Sequence, residues 1–234
     1  LESARRVAGA TARKYMVYYS ERLHVEAAIH TGQLIRDGAI GEIVHMSIMG
    51  PHRLGLANRP EWFFIKDKYG GILTDICSHQ FDQFLYYADS RDAEILHARI
   101  ANFSHPDYPE FEDFGEAILK LDTGASCHSR VDWYTPDGLS TWGDGRTFIV
   151  GTRGYIEVRK YVDVARDRVG DRIYLVDQQG ESLIDCHGQV GFPFFGEFIL
   201  DCLNRTEKAM TQDHAFKAAE LSLMAQQRAE QAGG

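Results

Sequence analysis

Six short segments rich in Val, Ile, Tyr and Phe constrain the fold of this chain more than any other feature. They are AEILHARIANF, EDFGEAILKLDTG, ASCHSRVDWYT, RTFIVGTRG, YIEVRKY and DRIYLVDQQGESLI, and they lie between residues 93 and 184. Asp-Gly, Thr-Gly, Arg-Gly and Gln-Gly turn signals separate them. Short segments of this kind, joined by tight turns, pair with their neighbours in antiparallel order. The sequence therefore predicts a large, predominantly antiparallel sheet.

Helical patterns precede and follow this sheet. LESARRVAGATAR at the start is typical of the tail of an amphipathic helix, and KYMVYYS, residues 14–20, of a strand. HVEAAIHTGQLIRDG has apolar positions at helical spacing and ends on Gly38, and GEIVHMSIMG then alternates like a strand. Two further helices are predicted in residues 192–205 and 213–231. The predicted class is α+β, a large mixed sheet with helices on one face.

The segment GGILTDICSHQFDQFLYYAD, residues 70–89, is predicted to form one helix, although it contains no Lys, Arg or Glu. At about 100° per residue, Asp75, His79, Asp82 and Tyr86 fall within about 60° of one another, opposite the broad apolar side. Asp75 and His79 are then i,i+4 neighbours whose side chains can meet, and Asp82 extends the row. Solvated helix faces usually carry longer charged side chains than these.

The polar face of this helix has several interpretations. It is an ordinary solvent face, or Asp75 interacts with the helix dipole while His79 hydrogen-bonds to it. Alternatively, the two form an acid–base pair, in which His79 takes up a proton near neutral pH and Asp75 orients it. A shared cation is the third interpretation, but two ligands are too few to define a metal site, and none is predicted.

Composition excludes several classes of protein. The net charge of −9 disfavours nucleic acid and anionic membranes as partners. No apolar run approaches the roughly 18 residues of a membrane span, and the N-terminus has no signal-peptide pattern. The four cysteines form no Cys-x-x-Cys motif, so reduced thiols and a cytoplasmic location are expected.

Four parts of the sequence resemble motifs of the Gfo/Idh/MocA oxidoreductases, in the family's order. Residues 70–89 resemble its GGG-x-x-x-D-x-x-x-H-x-x-D helix. A second motif of the family is a strand followed by an Arg, a helix and a G-x-I-G-x-I turn that leads into the next strand. It resembles the segment YYSERLHVEAAIHTGQLIRDGAIGEIVHMS. FIVGTRGYIEV resembles its I-x-G-T-x-G strand pair, and MTQDHAFKAAELSLMAQQRAEQ its terminal helix. The resemblance covers about residues 14–230.

The resemblance implies the C-terminal domain of a two-domain enzyme whose N-terminal Rossmann domain binds NAD or NADP. Residues 1–22 would be the end of that Rossmann domain, and residues 23–234 the domain for substrate binding and oligomerisation. Family members mostly move hydride between a nicotinamide and a carbon that bears a hydroxyl, so the implied substrate is a sugar or polyol. The chain contains neither G-x-G-x-x-G nor the family's Glu-Lys-Pro segment. This chain alone is therefore expected to be inactive.

The family's catalytic Asp and His map onto Asp75 and His79. His79 is predicted to accept the substrate's hydroxyl proton, and Asp75 to orient His79 and accept a hydrogen bond from a neighbouring hydroxyl. The family's Arg after the last Rossmann strand maps onto Arg22, which is predicted to hold a hydroxyl or the cofactor phosphates; a surface ion pair is the alternative. Asp82 is expected to support the helix without doing chemistry.

Four further residues are predicted to contact the substrate. His52 and Arg53 lie at the mouth of a Pro/Gly-rich loop, with an ordinary loop as the alternative. Trp142 and Arg146 lie in LSTWGDGRTF, where an aromatic face and an Arg fork would suit a hydroxylated ring and a plain turn is the alternative.

Two other functions compete with the oxidoreductase. A large sheet with one uncovered face could be a non-catalytic module, and the same face is expected to form a homodimer or homotetramer. A metal-dependent hydrolase or isomerase using Asp75 and His79 would require a bound metal ion.

Overall fold

A mixed sheet occupies the centre of the computed structural model, which describes residues 1–233. Within these residues the sheet has eight strands in the order β2-β3-β4-β1-β5-β6-β7-β8. Neighbours β1 and β4 are parallel, and every other neighbouring pair is antiparallel. The strands are β1 Ile43–Pro51, β2 Ala93–Ala101, β3 Phe114–Leu121, β4 Ser126–Asp132, β5 Arg146–Gly151, β6 Tyr155–Arg159, β7 Arg172–Asp177 and β8 Gly180–Asp185. The predicted α+β class with a predominantly antiparallel sheet is confirmed.

Eight helices accompany this sheet in residues 1–233. They are α1 Glu2–Thr11, α2 Ser20–Leu23, α3 Glu26–Arg36, α4 Lys66–Tyr69, α5 Ile72–Asp75, α6 Ser78–Tyr87, α7 Phe194–Asn204 and α8 Gln212–Gln231, with 3-10 turns at Leu56–Asn58 and Glu61–Phe64. Helices α5, α6 and α8 pack over β1 to β4, and α3 packs over β6 and β7. Their contact buries Ile48, Phe81, Phe84, Leu119 and Ile149 in one continuous core. No helix in residues 1–233 combines the length and apolar character needed to cross a membrane.

The strand predicted for residues 14–20 is wrong. Residues 13–19 join α1 to α2 without regular secondary structure. A strand requires a hydrogen-bonded neighbour, and no strand of the described sheet pairs with this segment. Tyr15 instead exchanges backbone hydrogen bonds with the side chain of Gln212 at 2.7 Å.

The single helix predicted for residues 70–89 is also wrong, because the segment forms two helices, α5 and α6, with a break at Ile76 and Cys77. At the break the Cys77 amide bonds to the carbonyl of Ile72, and the His79 amide to that of Ile76. Cys77 is buried against β4, where its Sγ lies 2.9 Å from Ser129 Oγ. A constant 100° per residue therefore does not apply between Asp75 and His79.

Gly71 allows helix α8 to approach the start of α5. It has a φ of +92°, and a Cβ at this position would overlap the Gln226 side chain. Gln226 accepts a hydrogen bond from the Leu73 amide at 3.0 Å, and Glu112 accepts one from the Ile72 amide at 2.8 Å. These contacts satisfy free amides of the first turn of α5, the helix that carries Asp75.

Gly71→Ala should therefore destabilise the chain more than the same substitution at a glycine of equal φ in open space. Gly124 is that control, because its φ is also +92° and a Cβ there meets no atom within 4 Å. We expect Gly124→Ala to lower the free energy of unfolding by about 1–2 kcal/mol through backbone strain. Gly71→Ala should lower the free energy of unfolding by about 1–3 kcal/mol more than this control, because the Gln226 side chain must also move. Urea unfolding of both variants measures the difference, and equal losses would contradict the proposed close packing.

Candidate active site

Asp75 and His79 lie on either side of the helix break, Asp75 as the last residue of α5 and His79 near the start of α6. The Asp75 side chain reaches solvent, while His79 is partly buried. The His79 ring lies edge-on to Tyr19, with ring centroids 5.9 Å apart. Its Nδ1 is buried without a hydrogen-bond partner among the described residues.

Burial shifts the proton affinities of both groups towards their neutral forms. The surrounding protein raises the pKa of Asp75 although its carboxyl reaches solvent, and the charges of His79 and Arg59 only partly oppose this. Burial lowers the pKa of His79, so its neutral imidazole persists to lower pH than that of a free histidine. A neutral imidazole beside a carboxyl group is able to accept a proton.

The rings of His52 and Trp142, two of the predicted substrate contacts, lie side by side. His52 follows strand β1, and its Nδ1 lies 3.0 Å from the carbonyl oxygen of Gly50. Its ring centroid is 4.3 Å from that of Trp142, which in turn lies 4.4 Å from that of Tyr161. Burial lowers the pKa of His52, and among the charges that act on it are those of Glu21 and Arg59. The row of three rings is suited to contact the apolar face of a ring-shaped ligand.

Arg22 forms an ion pair in the interior of the protein. It is buried, and its Nε and Nη2 donate to the two carboxylate oxygens of Asp82 at 2.7 and 2.8 Å. Its guanidinium also lies over the ring of Tyr86, 4.0 Å from the centroid. Arg22 forms the ion pair of the alternative interpretation, but in the interior and not at the surface. Nε and Nη2 are engaged by Asp82, while Arg22 also lines a groove, so its contact with a substrate hydroxyl or the cofactor phosphates stays a prediction.

Arg53 and Arg146 also have protein partners. The Nη2 of Arg53 donates to the carbonyl oxygens of Pro136 and Leu139 at 3.0 and 2.6 Å, so Arg53 holds the loop that carries Trp142. Arg146 pairs with Asp144 and alternates along β5 with buried Thr147. Since Thr147 faces the helices, Arg146 lies on the open face of the sheet, away from His79. The predicted role of Arg146 in the same pocket is therefore not supported.

Residues that sequence reasoning missed complete the surroundings of the two histidines. The carboxylate of Glu21 lies 2.8 Å from the Nζ of Lys160, and both side chains are buried. The guanidinium of Arg59 lies over the rings of Phe63 and Trp133, with 4.4 and 4.7 Å to their centroids. No sequence signal identifies the ionic contact, because Glu21 and Lys160 are 139 positions apart.

Ligand-type side chains do not gather around Asp75. In residues 1–233, three side chains of the ligand type, Glu26, Asp171 and His187, have atoms close enough together to share a cation. They lie at another place in the fold. The Glu26 carboxylate already accepts amide hydrogen bonds from Gly188, Val190 and Gly191. A groove of about 1300 Å³ is likewise separate from Asp75 and includes Arg22, Tyr86 and His214.

Comparison with known proteins places this architecture in a family. The sequence model of the family described as GFO/IDH/MocA C-terminal domain matches residues 30–157. No curated protein matches the sequence.

Solved structures match nearly the whole chain. A protein from Erwinia carotovora atroseptica SCRI1043, provisionally assigned as an oxidoreductase, is 48% identical with a TM-score of 0.94 over 97% of this chain and 68% of its own. An oxidoreductase from Agrobacterium radiobacter, in complex with NAD+, L-tartaric acid and magnesium, is 15% identical with a TM-score of 0.75 over 99% and 67%. The aldose-aldose oxidoreductase from Caulobacter crescentus, complexed with glycerol, is 17% identical with a TM-score of 0.76 over 99% and 66%.

The two more distant structures share the fold, and the chain spans about two thirds of the length of all three proteins. The family model covers more than half of the chain, in agreement with the close structural match. The chain therefore belongs to the GFO/IDH/MocA family of oxidoreductases and carries its C-terminal domain.

Proposed function

We propose that this chain forms the substrate-binding and catalytic part of an NAD(P)-dependent oxidoreductase acting on a secondary hydroxyl of a sugar or polyol. The observation that carries the proposal is the placement of Asp75 and His79 across the helix break, with Asp75 open to solvent. His52 and Trp142 would bind the same ligand, since an aromatic face and polar edges together suit a hydroxylated ring.

Proton transfer is the task of His79 in this proposal. Oxidation of a secondary alcohol removes the hydroxyl proton and a hydride from the same carbon. His79 accepts that proton on a ring nitrogen, and burial favours the neutral ring that this step requires. Asp75 accepts a hydrogen bond from a neighbouring hydroxyl and holds the substrate in place. The nicotinamide supplies the hydride chemistry when bound.

The cofactor would be held mainly outside this chain. The chain contains no G-x-G-x-x-G segment and spans about two thirds of the length of its relatives. We infer that residues 1–22 continue a nicotinamide-binding domain and that residues 23–234 alone do not turn over substrate. NAD and NADP both remain compatible with the sequence.

The open face of the sheet is proposed as a homodimer or homotetramer surface. Ile118, Phe148 and Tyr155 are exposed there, and the rings of Phe148 and Tyr155 stack with centroids 5.5 Å apart. Exposed apolar side chains grouped on one face often mark such contacts. We also propose a cytoplasmic location, because a sequence with four cysteines and no Cys-x-x-Cys motif is typical of reduced thiols.

A substrate panel tests the proposed activity. The polypeptide that carries this chain together with a nicotinamide-binding domain is incubated with NAD or NADP and a set of sugars, polyols and simple alcohols. We expect nicotinamide reduction with at least one cyclic sugar or polyol, and none from residues 1–234 alone. Reduction absent across the panel, or equal with the simple alcohols, would contradict the proposal.

A further inference from the structure

A fully buried ion pair lies next to the candidate base. Glu21 and Lys160 are 2% and 1% exposed, and a lysine this deeply buried is rare in proteins unless it is paired. The Glu21 Oε2 accepts hydrogen bonds from Lys160 Nζ at 2.8 Å and from Gln80 Nε2 at 2.9 Å. A buried ion pair is weak evidence of added stability, since desolvation of both charges opposes their attraction. The pair therefore calls for another explanation.

The pair lies near both histidines of the candidate site, since the charge of Glu21 interacts with His79 and with His52. Gln80 directly follows His79 in α6, and Lys160 directly follows strand β6. At Gly50, two residues before His52, a Cβ would lie 3.2 Å from Glu21 Oε1 and 2.7 Å from Gln80 Nε2. Only a glycine lets the end of β1 approach the carboxylate this closely.

Several polar atoms in the described part of this interior lack partners, including Gln80 Oε1. Glu21 Oε1 and His79 Nδ1 are both buried and have no hydrogen-bond partner in the described part of the chain. An unpartnered carboxylate oxygen keeps its full electrostatic effect on neighbouring groups in a region of low dielectric.

We propose that Glu21 and Lys160 are positioning residues whose charges offset each other, so that the buried His79 stays a neutral base ready to take up the substrate proton. This inference rests on the proposed function of His79. The Glu21 carboxylate draws a proton towards His79, and the Lys160 ammonium repels it. With both present the two influences oppose each other, and burial keeps the ring neutral.

The electrostatic effects on His79 agree with this arrangement. Burial lowers the pKa of His79; Glu21 and Asp82 raise it, while His52 and Lys160 lower it. Burial acts to raise the pKa of Glu21, but Lys160, His79 and His52 outweigh it and leave that pKa below its usual value. The charged and titratable groups that face His79 are Tyr19 before α2, Glu21 of α2, His52 after β1, Lys160 after β6, and Asp75 and Asp82 of its own segment.

Histidine NMR titration of the chain tests the inference without substrate or cofactor. The His79 resonance is assigned as the one that disappears in His79→Gln. We expect Glu21→Gln to lower the pKa of His79 by about one unit and Lys160→Met to raise it by about one unit. The matched controls Glu94→Gln and Lys120→Met, both at exposed positions on β2 and β3, should leave it unchanged.

Shifts of the same sign in the two variants, or no shift in either, would overturn the inference and leave the pair a structural contact only. If one substitution prevents folding, Gln80→Glu provides the second variant, because it adds a carboxylate beside Lys160 without removing a charge. It should raise the pKa of His79, and an unchanged value would equally overturn the inference.

The complete enzyme separates this inference from the proposed function. The acid limb of the pH profile of kcat/KM should move in the same two directions as the pKa of His79. Shifted titrations together with full turnover in His79→Gln would sink the role of His79 as base but keep the electrostatic role of the pair.

Discussion

Asp82→Ala is expected to lower the free energy of unfolding of this chain by about 3–5 kcal/mol, the loss typical of breaking a buried ion pair. The Asp82 carboxylate binds Arg22 through two hydrogen bonds of 2.7 and 2.8 Å and also lies 2.8 Å from His214 Nε2. Without it, Arg22 would remain in the interior as an unpaired cation. Urea unfolding measures the loss.

Two controls isolate the ion pair. The double variant Arg22→Met/Asp82→Leu removes both charges and should be far more stable than Asp82→Ala, since apolar replacement of a buried pair is often neutral. Asp107→Ala, at an exposed loop position, should change the free energy of unfolding by less than about 0.5 kcal/mol. A double variant as unstable as the single one would refute the explanation by an unpaired charge.

His79→Gln should reduce turnover by about 10²- to 10⁴-fold in the polypeptide that also carries the nicotinamide-binding domain, as expected for loss of a general base. The amide of Gln preserves much of the size of the ring and can form hydrogen bonds but cannot take up a proton near neutral pH. Nicotinamide reduction with the preferred substrate is the readout, with kcat and KM measured separately.

His187→Gln is the matched control, because His187 is an exposed loop histidine remote from α6. Its turnover should stay within about twofold of the unmodified enzyme, since surface substitutions away from a site have small effects. For the unmodified enzyme, the lowered pKa of His79 means that the neutral base is lost only as the pH falls below the usual histidine range. Unchanged kcat in His79→Gln would remove His79 from the reaction.

Local patterns in the sequence were sufficient for most of the sheet. Alternation and turn signals predicted the positions of β1 to β7, because each of these strands carries its own buried and exposed faces. The last of the six segments contains both β7 and β8, whose separation by Gln178 and Gln179 also agrees with the Gln-Gly turn signal. Helices α3, α7 and α8 were predicted for the same reason.

Features that depend on distant partners could not be predicted in this way. The break at Ile76 and Cys77 depends on a contact with Ser129 of β4, and the segment 13–19 lacks the neighbour that would make it a strand. Resemblance singled out Asp75 and His79, but the charges around His79 come from Glu21 and Lys160, which no local pattern connects. Resemblance also singles out Arg22 as a candidate site residue. The sequence places its partner Asp82 only on a helix face and does not indicate that the two side chains pair.

The position of strand β1 links the formation of the site to the folding of the whole sheet. Two runs of consecutive hairpins, β2 to β4 and β5 to β8, are joined only through β1, which pairs with one run on each side. His52 follows this joining strand, Asp75 ends helix α5 over the first run, His79 lies in α6 over β1, and Lys160 follows a strand of the second run. Neither run alone contains the site, so a partly folded intermediate with one run in place would have no complete pocket. Substrate binding would then be a measure of cooperative folding of the entire sheet, because a complete pocket forms only when both runs are paired with β1.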